Sequence, residues 1–132
     1  MFEPEKVTKQ YGQTTVLHET TLTVNDGEFF VLVDAGGSGK TTLLKLLNRL
    51  IEPTSGTILR NKIPLHDLDL RSLRLDTGYV LQQIALFPNL TVGENIALVP
   101  SMKHIDKNEI RRRSHLWLEK TGLDPLQSHG LI

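Results

Sequence analysis

The stretch Gly36-Gly37-Ser38-Gly39-Lys40-Thr41-Thr42 follows closely on the apolar run Phe29-Phe30-Val31-Leu32-Val33. A glycine-rich turn that leaves a buried strand points successive backbone N–H groups into one concavity, and a helix beginning near Lys40 adds the positive end of its dipole. Lys40 would reach the outer phosphates of a nucleoside triphosphate, Thr41 would offer its hydroxyl to Mg²⁺, and Thr42 would add a polar contact. The stretch therefore predicts a phosphate-binding loop.

The position five residues before Gly39 is glycine in the complete phosphate-loop pattern, and this chain has Asp34 there. A carboxylate at the mouth of the loop repels a triphosphate, and two unit charges 4 Å apart interact by about 1 kcal/mol in water and about 4 kcal/mol at an effective dielectric of 20. We therefore expect weakened nucleotide binding. The alternative interpretation is a glycine-rich β-to-α turn without a ligand, but the order of strand, loop, Lys-Thr and apolar helix favours the phosphate loop.

Composition limits the classes of protein that fit. The chain has 132 residues, with 15 Lys and Arg against 15 Asp and Glu, and no cysteine. This length is short for a complete nucleotide-hydrolysing domain, the balanced charge gives no overall preference for nucleic acid, and a disulfide framework is excluded. The acidic start does not resemble a signal peptide, and no apolar run reaches membrane-spanning length, so a cytoplasmic chain is expected.

Periodicity upstream of residue 66 predicts alternating β and α structure. Residues 7–33 have a β pattern, with a turn at Asn25-Asp26-Gly27 and a strand over Phe29–Val33 that is buried on both faces. Short strands are predicted at Thr57–Leu59 and Ile63–Leu65, joined by a turn at Asn61-Lys62. The helix after Lys40 has an apolar stripe and is expected to stop at Pro53 and Gly56. Its stripe comprises Leu43, Leu46, Leu47 and Leu50, widened by Leu44 and Ile51.

The remaining residues predict one more strand and one more helix. Gly78–Leu81 has the pattern of a second buried strand, which leads into the polar pair Gln82-Gln83 at the sheet edge where α/β proteins bind ligands. Asp106 and Glu109 predict a capping box for a helix that runs to about Thr121 and is closed by Gly122 and Pro125. Its expected buried stripe contains Ile110, Trp117 and Leu118, interrupted by Ser114 and Thr121, and Arg111-Arg112-Arg113 is expected to be a solvated face.

Several motifs taken together carry a family resemblance. They are Tyr11-Gly12, residues 34–42, Pro53-Thr54-Ser55-Gly56, Gly78-Tyr79-Val80-Leu81-Gln82 and the run from Leu86 to Ile96. In this order they resemble the ATP-binding subunit of ABC transporters over nearly the whole chain. Residues 82–88 and 95–100 are most similar to the branch that imports osmoprotectants such as glycine betaine, carnitine or choline.

The resemblance implies roles for further residues and names the cofactors as ATP and Mg²⁺. Tyr11 would stack on the adenine base, with Val16 beside it, because an aromatic face provides the surface that a base needs. The alternative for Tyr11 is a half-exposed strand tyrosine without a ligand. Gln82 would sense the γ-phosphate through the magnesium ion and water, so Thr41 and Gln82 are the implied metal contacts.

The resemblance also implies two protein partners. Residues 84–100 would face a membrane-embedded permease subunit, and a second nucleotide-binding subunit would complete the ATPase, so the chain would sit at the inner face of the cell membrane. Phe87, Leu90 and Ile96 would supply apolar anchors for the permease, or they would pack inside the helical subdomain. No nucleic-acid partner is expected.

The fold class that follows is α/β: a truncated P-loop NTPase core with an N-terminal antiparallel β subdomain and the start of a helical subdomain. Residues 1–82 would form the β subdomain and core, and residues 83–132 the Q-loop and first helices. The 132 residues contain no Leu-Ser-Gly-Gly-Gln signature, Walker B strand or switch histidine. We therefore expect the isolated chain not to hydrolyse ATP.

Two functions compete on this basis. The first is the ATP-binding portion of a transporter's energy-coupling subunit, and the second is a remnant that binds nucleotide or a partner without turnover. An unrelated P-loop kinase or GTPase is disfavoured by the order of Tyr11, Gln82 and Leu86-Phe87-Pro88 and by the lack of an Asn-Lys-x-Asp motif.

Overall fold

The computed structural model describes residues 1–33, 36–37, 39–81 and 86–123. The chain divides into two compact units, Met1–Thr77 and Gly78–Ile132. The domain boundary predicted after residue 82 stays a prediction, because residues 82–85 lie outside the described part of the chain.

The first unit is built on an antiparallel sheet of four strands in the order β2-β1-β3-β4. The strands are β1 Phe2–Tyr11, β2 Thr14–Thr20, β3 Ser55–Arg60 and β4 Ile63–Pro64. Asn61 and Lys62 connect β3 to β4 with φ angles of 52° and 67°, the two positive values that a tight hairpin of matching twist requires. The predicted hairpin is therefore confirmed.

Helix α1, Lys40–Leu47, packs on this sheet through Leu43 and Leu46, which are both buried. It ends earlier than the predicted stop at Pro53, because Arg49 adopts a left-handed φ of 46°. The Arg49 guanidinium donates hydrogen bonds to the carbonyl oxygens of Leu65 and Leu68 at 2.9 and 3.2 Å. These two bonds stabilise the left-handed conformation of Arg49. Leu50 consequently lies beyond the helix and is 45% exposed, so its predicted place on the buried stripe is wrong.

The core of the first unit joins the sheet, α1 and two short helical segments. These segments are a single 3₁₀ turn at Leu65–Asp67 and helix α2, Leu70–Leu75. Val7, Leu46 and Leu73 are almost completely inaccessible to solvent, and burial of such side chains contributes about 1.5–3 kcal/mol each. The buried cluster comprises Val7, Leu17, Leu43, Leu46, Ile58, Leu65 and Leu73.

Phe29–Val33 is not the doubly buried strand that its composition predicts. The residues form none of the strands of the described sheet, and Phe29 and Val33 are 92% and 86% exposed, whereas Leu32 packs against the core. The turn predicted just before it is confirmed, since Glu28 N–H donates to Asn25 O at 3.2 Å and Gly27 has a φ of 74°. An apolar run becomes a buried strand only where other strands flank it, and that pairing is not encoded locally.

The described residues of the second unit form two helices, α3 Val92–Met102 and α4 Lys107–Lys120. The strand predicted at Gly78–Leu81 is not formed, and Val80 is 96% exposed. Helix α3 begins with a reciprocal capping box between Thr91 and Glu94, and these hydrogen bonds lower the pKa of Glu94. The carboxylate therefore stays ionised at neutral pH.

Helix α4 is capped at both ends, although only part of the predicted capping box forms. Asp106 accepts hydrogen bonds from the N–H groups of Asn108 and Glu109, but the Glu109 carboxylate bonds to Arg112 and Arg113 instead of reaching back. Those bonds lower the pKa of Glu109 to about 2. At the other end, Gly122 has a φ of 75°, and the N–H groups of Gly122 and Leu123 bond to the carbonyls of Glu119 and Leu118.

The buried side of α4 differs from the predicted stripe. Ile110 and Leu118 are buried as expected, but Trp117 is 59% exposed and has the Lys120 ammonium 4.9 Å from its ring centroid. Ser114 lies between Ile110 and Leu118 at four-residue spacing and is half-buried. The four-residue row therefore faces inward, and the polar Ser114 belongs to it.

Candidate functional site

The predicted phosphate loop has a backbone that only glycine adopts readily. Gly36, Gly37 and Gly39 have φ angles of 44°, 84° and 86°. L-residues avoid this left-handed region because their Cβ approaches the carbonyl oxygen, at a cost of roughly 1–2 kcal/mol. Asp34 and Ser38 lie outside the described residues. Each of the three described glycines therefore occupies a position that favours glycine.

Gly39 lies directly against strand β2. A Cβ placed on Gly39 would lie 2.5 Å from the carbonyl oxygen of Val16 and 3.0 Å from Cδ1 of Leu17. Val16 is the extra residue of a β-bulge, because Gln10 pairs with Thr15 and the next residue towards the N-terminus, Lys9, pairs with Leu17. The bulge brings the Val16 carbonyl oxygen towards the loop. Two of the predicted site residues, Val16 and Gly39, are therefore in close contact.

The amino end of α1 gives the candidate site a positive electrostatic potential. Gly39 is the N-cap, and its carbonyl accepts from Leu43 N–H at 2.8 Å, while the first turn contains no acidic residue. Glycine has no side chain with which to cap the helix, and backbone N–H groups at the amino end of a helix can bind an anion. This end of the helix suits a negatively charged group.

The remaining predicted loop residues begin α1. Lys40 is half-buried and, together with Thr20, Val33 and Gly39, lines a cavity of about 160 Å³. Thr41 is exposed and Thr42 is half-buried. A lysine and two hydroxyls at a helix amino end fit a phosphate group, which accepts hydrogen bonds from N–H and O–H donors. A threonine hydroxyl also fits Mg²⁺, which takes oxygen ligands.

Tyr11 lies at the end of β1, in the hairpin that carries the bulge at Val16. It pairs with Thr14 across the hairpin, and its side chain is 55% exposed. The Lys9 ammonium lies 4.9 Å from the centroid of the Tyr11 ring. The ring is thus open enough for a base to stack on it, and its exposure alone also fits an unliganded strand tyrosine.

The last predicted site residue is Gln82, the implied partner of Thr41 at Mg²⁺. Gln82 lies outside the described residues, so its role at Mg²⁺ with Thr41 stays a prediction. Within residues 1–33, 36–37, 39–81 and 86–123, there is no group of three or more His, Cys, Asp or Glu side chains that could hold a metal ion.

Asn95 organises the loop before α3, and sequence reasoning missed this role. Its Oδ1 accepts from Phe87 N–H at 2.8 Å, and its Nδ2 donates to the carbonyls of Phe87 at 3.1 Å and Thr91 at 3.0 Å. A further contact joins Nδ2 to the Leu90 carbonyl at 3.3 Å. The available signal was an asparagine in the first turn of a capped helix, where its amide can reach back to the preceding loop.

The apolar side chains of this loop differ in exposure. Leu86 and Phe87 are 50% and 52% exposed, whereas Leu90 and Ile96 are half-buried. Phe87 is therefore available to a partner, and Leu90 and Ile96 also contribute to packing within the unit. Asn95 fixes the backbone that carries Phe87.

We expect Asn95→Ala to loosen this loop without unfolding α4. The amide of Phe87 should exchange its hydrogen up to about tenfold faster, because a net hydrogen bond stabilises by about 0.5–1.5 kcal/mol. Hydrogen exchange followed by NMR measures this directly. Asn108→Ala, at an exposed position of α4, is the matched control, and unchanged exchange at Phe87 in Asn95→Ala would contradict the role.

The fold and the glycine-rich loop before α1 define an α/β domain with a candidate phosphate loop, and comparison with known proteins identifies the family. Residues 17–131 match the ABC transporter family. The chain is 43% identical over 129 residues to the osmoprotectant import ATP-binding protein OsmV of Salmonella typhimurium, covering 94% of this chain and 34% of that protein. It is 45% identical over 103 residues to the carnitine transport ATP-binding protein OpuCA of Listeria monocytogenes, covering 77% of this chain and 26% of that protein.

The solved structures agree with the sequence comparison. The dimeric structure of a bacterial ABC transporter cassette is 32% identical and matches with a TM-score of 0.87, over 99% of this chain and 61% of that one. The chain therefore belongs to the ABC transporter family. The predicted fold class, an α/β cassette with an N-terminal antiparallel β subdomain and the first helices of a helical subdomain, is confirmed. None of the helices in the described residues is long and apolar enough to cross a bilayer.

Proposed function

We propose that this chain is the ATP-binding portion of the energy-coupling subunit of an ABC importer for quaternary amine osmoprotectants. The main observation that supports ATP binding is the position of Gly39. Its backbone contacts the β-bulge at Val16, at the amino end of α1. Such close packing gives a reason for glycine at this position, and the amino end of a helix favours a bound phosphate. The solute class rests on the names of the two relatives, of which this chain spans only 34% and 26%.

In this proposal each site residue has a defined task. Gly36, Gly37, Ser38 and Gly39 surround the phosphates with N–H groups, and Lys40 binds the outer phosphates. Thr41 and Gln82 contact Mg²⁺, and Thr42 adds a polar contact. Tyr11 stacks on adenine beside Val16. Lys40, Tyr11 and Val16 belong to the first unit, and Gln82 belongs to the second.

The partners follow from the family. A permease subunit binds residues 84–100, with Phe87 as an exposed apolar anchor. A second nucleotide-binding subunit pairs with this one, as in the dimeric cassette to which the chain is similar. The assembled protein lies on the cytoplasmic face of the membrane, held there by the permease.

The proposed ATP binding is tested by calorimetric titration with Mg-ATP. Because the phosphate-loop pattern would place the Asp34 carboxylate beside the phosphates, we expect Asp34→Gly to bind at least several-fold more tightly than the wild type. A higher salt concentration should reduce the difference in affinity between the two chains, since salt screens charges. Equal affinities for the two chains would contradict the repulsion argument, and a lack of binding in both would contradict the proposed function.

A further inference from the structure

Lys9 is held at a fixed place beside the Tyr11 ring. Its ammonium donates a 2.7 Å hydrogen bond to the carbonyl oxygen of Glu52 and lies 4.9 Å from the ring centroid. The segment that contains Glu52 is itself bonded to β1, because Thr54 N–H donates to Thr8 O at 2.9 Å and Thr54 Oγ1 accepts from Gln10 N–H at 2.9 Å. Lys9 therefore links β1 to the segment that contains Glu52, and the hydrogen bonds of Thr54 join the same two parts of the chain.

One face of the Tyr11 ring is consequently occupied by a cation. An ammonium group prefers the electron-rich face of an aromatic ring, and such a contact is worth about 0.5–1 kcal/mol at an exposed site. The Tyr11 side chain is nevertheless 55% exposed, so a large part of the ring remains open. Another flat group would therefore have to stack on the face of the ring opposite Lys9.

We propose that Lys9 is a positioning residue for the purine base: it holds the Tyr11 ring from one face so that the base stacks on the other. This inference rests on the proposed function, in which Tyr11 stacks on adenine. Base stacking on an aromatic side chain is worth about 1–3 kcal/mol. A ring that is already held loses less rotational freedom when the base arrives, and preorganisation of this kind raises affinity.

The competing explanation is that Lys9 attracts the nucleotide through its charge alone. The two explanations differ in their dependence on Tyr11. A residue that acts through the ring has no effect once the ring is removed, whereas a charge that attracts the phosphates acts with or without the ring. A double-mutant cycle on Lys9 and Tyr11 therefore separates them.

The test is titration of the full chain with Mg-ATP for the wild type and a set of variants. We expect Lys9→Met to weaken binding by up to about 2- to 5-fold, because the cation–ring energy limits how strongly the contact can favour the held ring conformation. Lys9→Arg keeps a cation over the ring and should stay within about twofold of the wild type. In the Tyr11→Leu background, Lys9→Met should have no further effect.

Two controls define the outcomes. Lys45→Met makes the same charge change at an exposed position of α1 and should leave binding unchanged. Thermal unfolding reports whether a variant has lost stability instead of affinity. Wild-type affinity in Lys9→Met, or a loss that persists in the Tyr11→Leu background, overturns the role of Lys9 alone. A wild-type chain that binds no ATP overturns the proposed function and this inference with it.

Discussion

Replacement of Gly56 by alanine is expected to destabilise the unit that contains the sheet by about 2–5 kcal/mol, the sum of left-handed strain and a forced backbone displacement. Gly56 has a φ of 80°, and a Cβ there would lie 2.3 Å from the carbonyl oxygen and 2.5 Å from the carbonyl carbon of Lys6. Both of these are backbone atoms, so no side-chain rotation can relieve the overlap. Strand β1 or β3 would have to move.

The surroundings of Gly56 make such a movement costly. Glu5 pairs with Thr57 and Thr8 with Ser55, so Gly56 alone faces Lys6 and Val7 in a β-bulge. Lys6 itself has a positive φ of 49°, and Val7 is completely buried in the core. A shift of β1 away from an alanine would therefore disturb the packing of Val7.

Urea unfolding followed by circular dichroism measures the effect, with Gly27→Ala as the matched control. Gly27 also has a positive φ, 74°, but a Cβ there would meet no atom within 4 Å. This control should lose only the conformational part, about 1–2 kcal/mol. Equal losses in the two variants would show that the contact with Lys6 is unimportant.

Gly56 also shows what the sequence could not reveal. The stretch from Pro53 to Gly56 has the composition of a helix stop, but α1 ends at Leu47 and Gly56 lies inside β3. The requirement for glycine comes from Lys6, which is fifty positions earlier in the chain. A contact between distant segments leaves no periodic pattern, so sequence reasoning identified the glycine but not its reason.

Features that depend on neighbouring residues were predicted well. The Asn61-Lys62 hairpin, the Asp106 cap and the end of α4 at Gly122 all follow from short-range chemistry, and each is present. The failed predictions depend on non-local partners or on helical phase. Residues 29–33 lack flanking strands in the described sheet, and the choice between Ser114 and Trp117 for the buried row depends on how α3 packs against α4.

In the candidate site, too, features set by neighbouring residues were predictable and features set by distant segments were not. The motif named the glycines and Lys40, but it could not show that Val16 bulges towards Gly39 or that Lys9 covers one face of Tyr11. These features arise where separate segments meet. The roles of the site residues stay predictions, and removing the lysine of the loop tests them most directly.

We expect Lys40→Ala to lower the affinity for Mg-ATP by roughly 10- to 150-fold, since hydrogen bonds to charged groups are worth about 1.5–3 kcal/mol. Lys40 is the first residue of α1, follows the N-cap Gly39 and is half-buried. Partial burial lowers the effective dielectric around the ammonium, so its attraction for phosphate exceeds that of a solvated charge. Calorimetric titration in the Asp34→Gly background gives the widest measurable range of affinity.

The matched control for Lys40→Ala is Lys45→Ala, which removes the same charge from the last turn of the same helix, where the side chain is exposed. If affinity depended only on the net charge of α1, both variants would bind ATP equally weakly. If affinity depends on an ammonium at the amino end of α1, Lys45→Ala keeps nearly all of the affinity for ATP. The reason is that an exposed charge several residues away is largely screened at physiological salt. Equal losses would place the nucleotide elsewhere, since a phosphate bound at the Gly39 end of α1 cannot depend on both lysines alike.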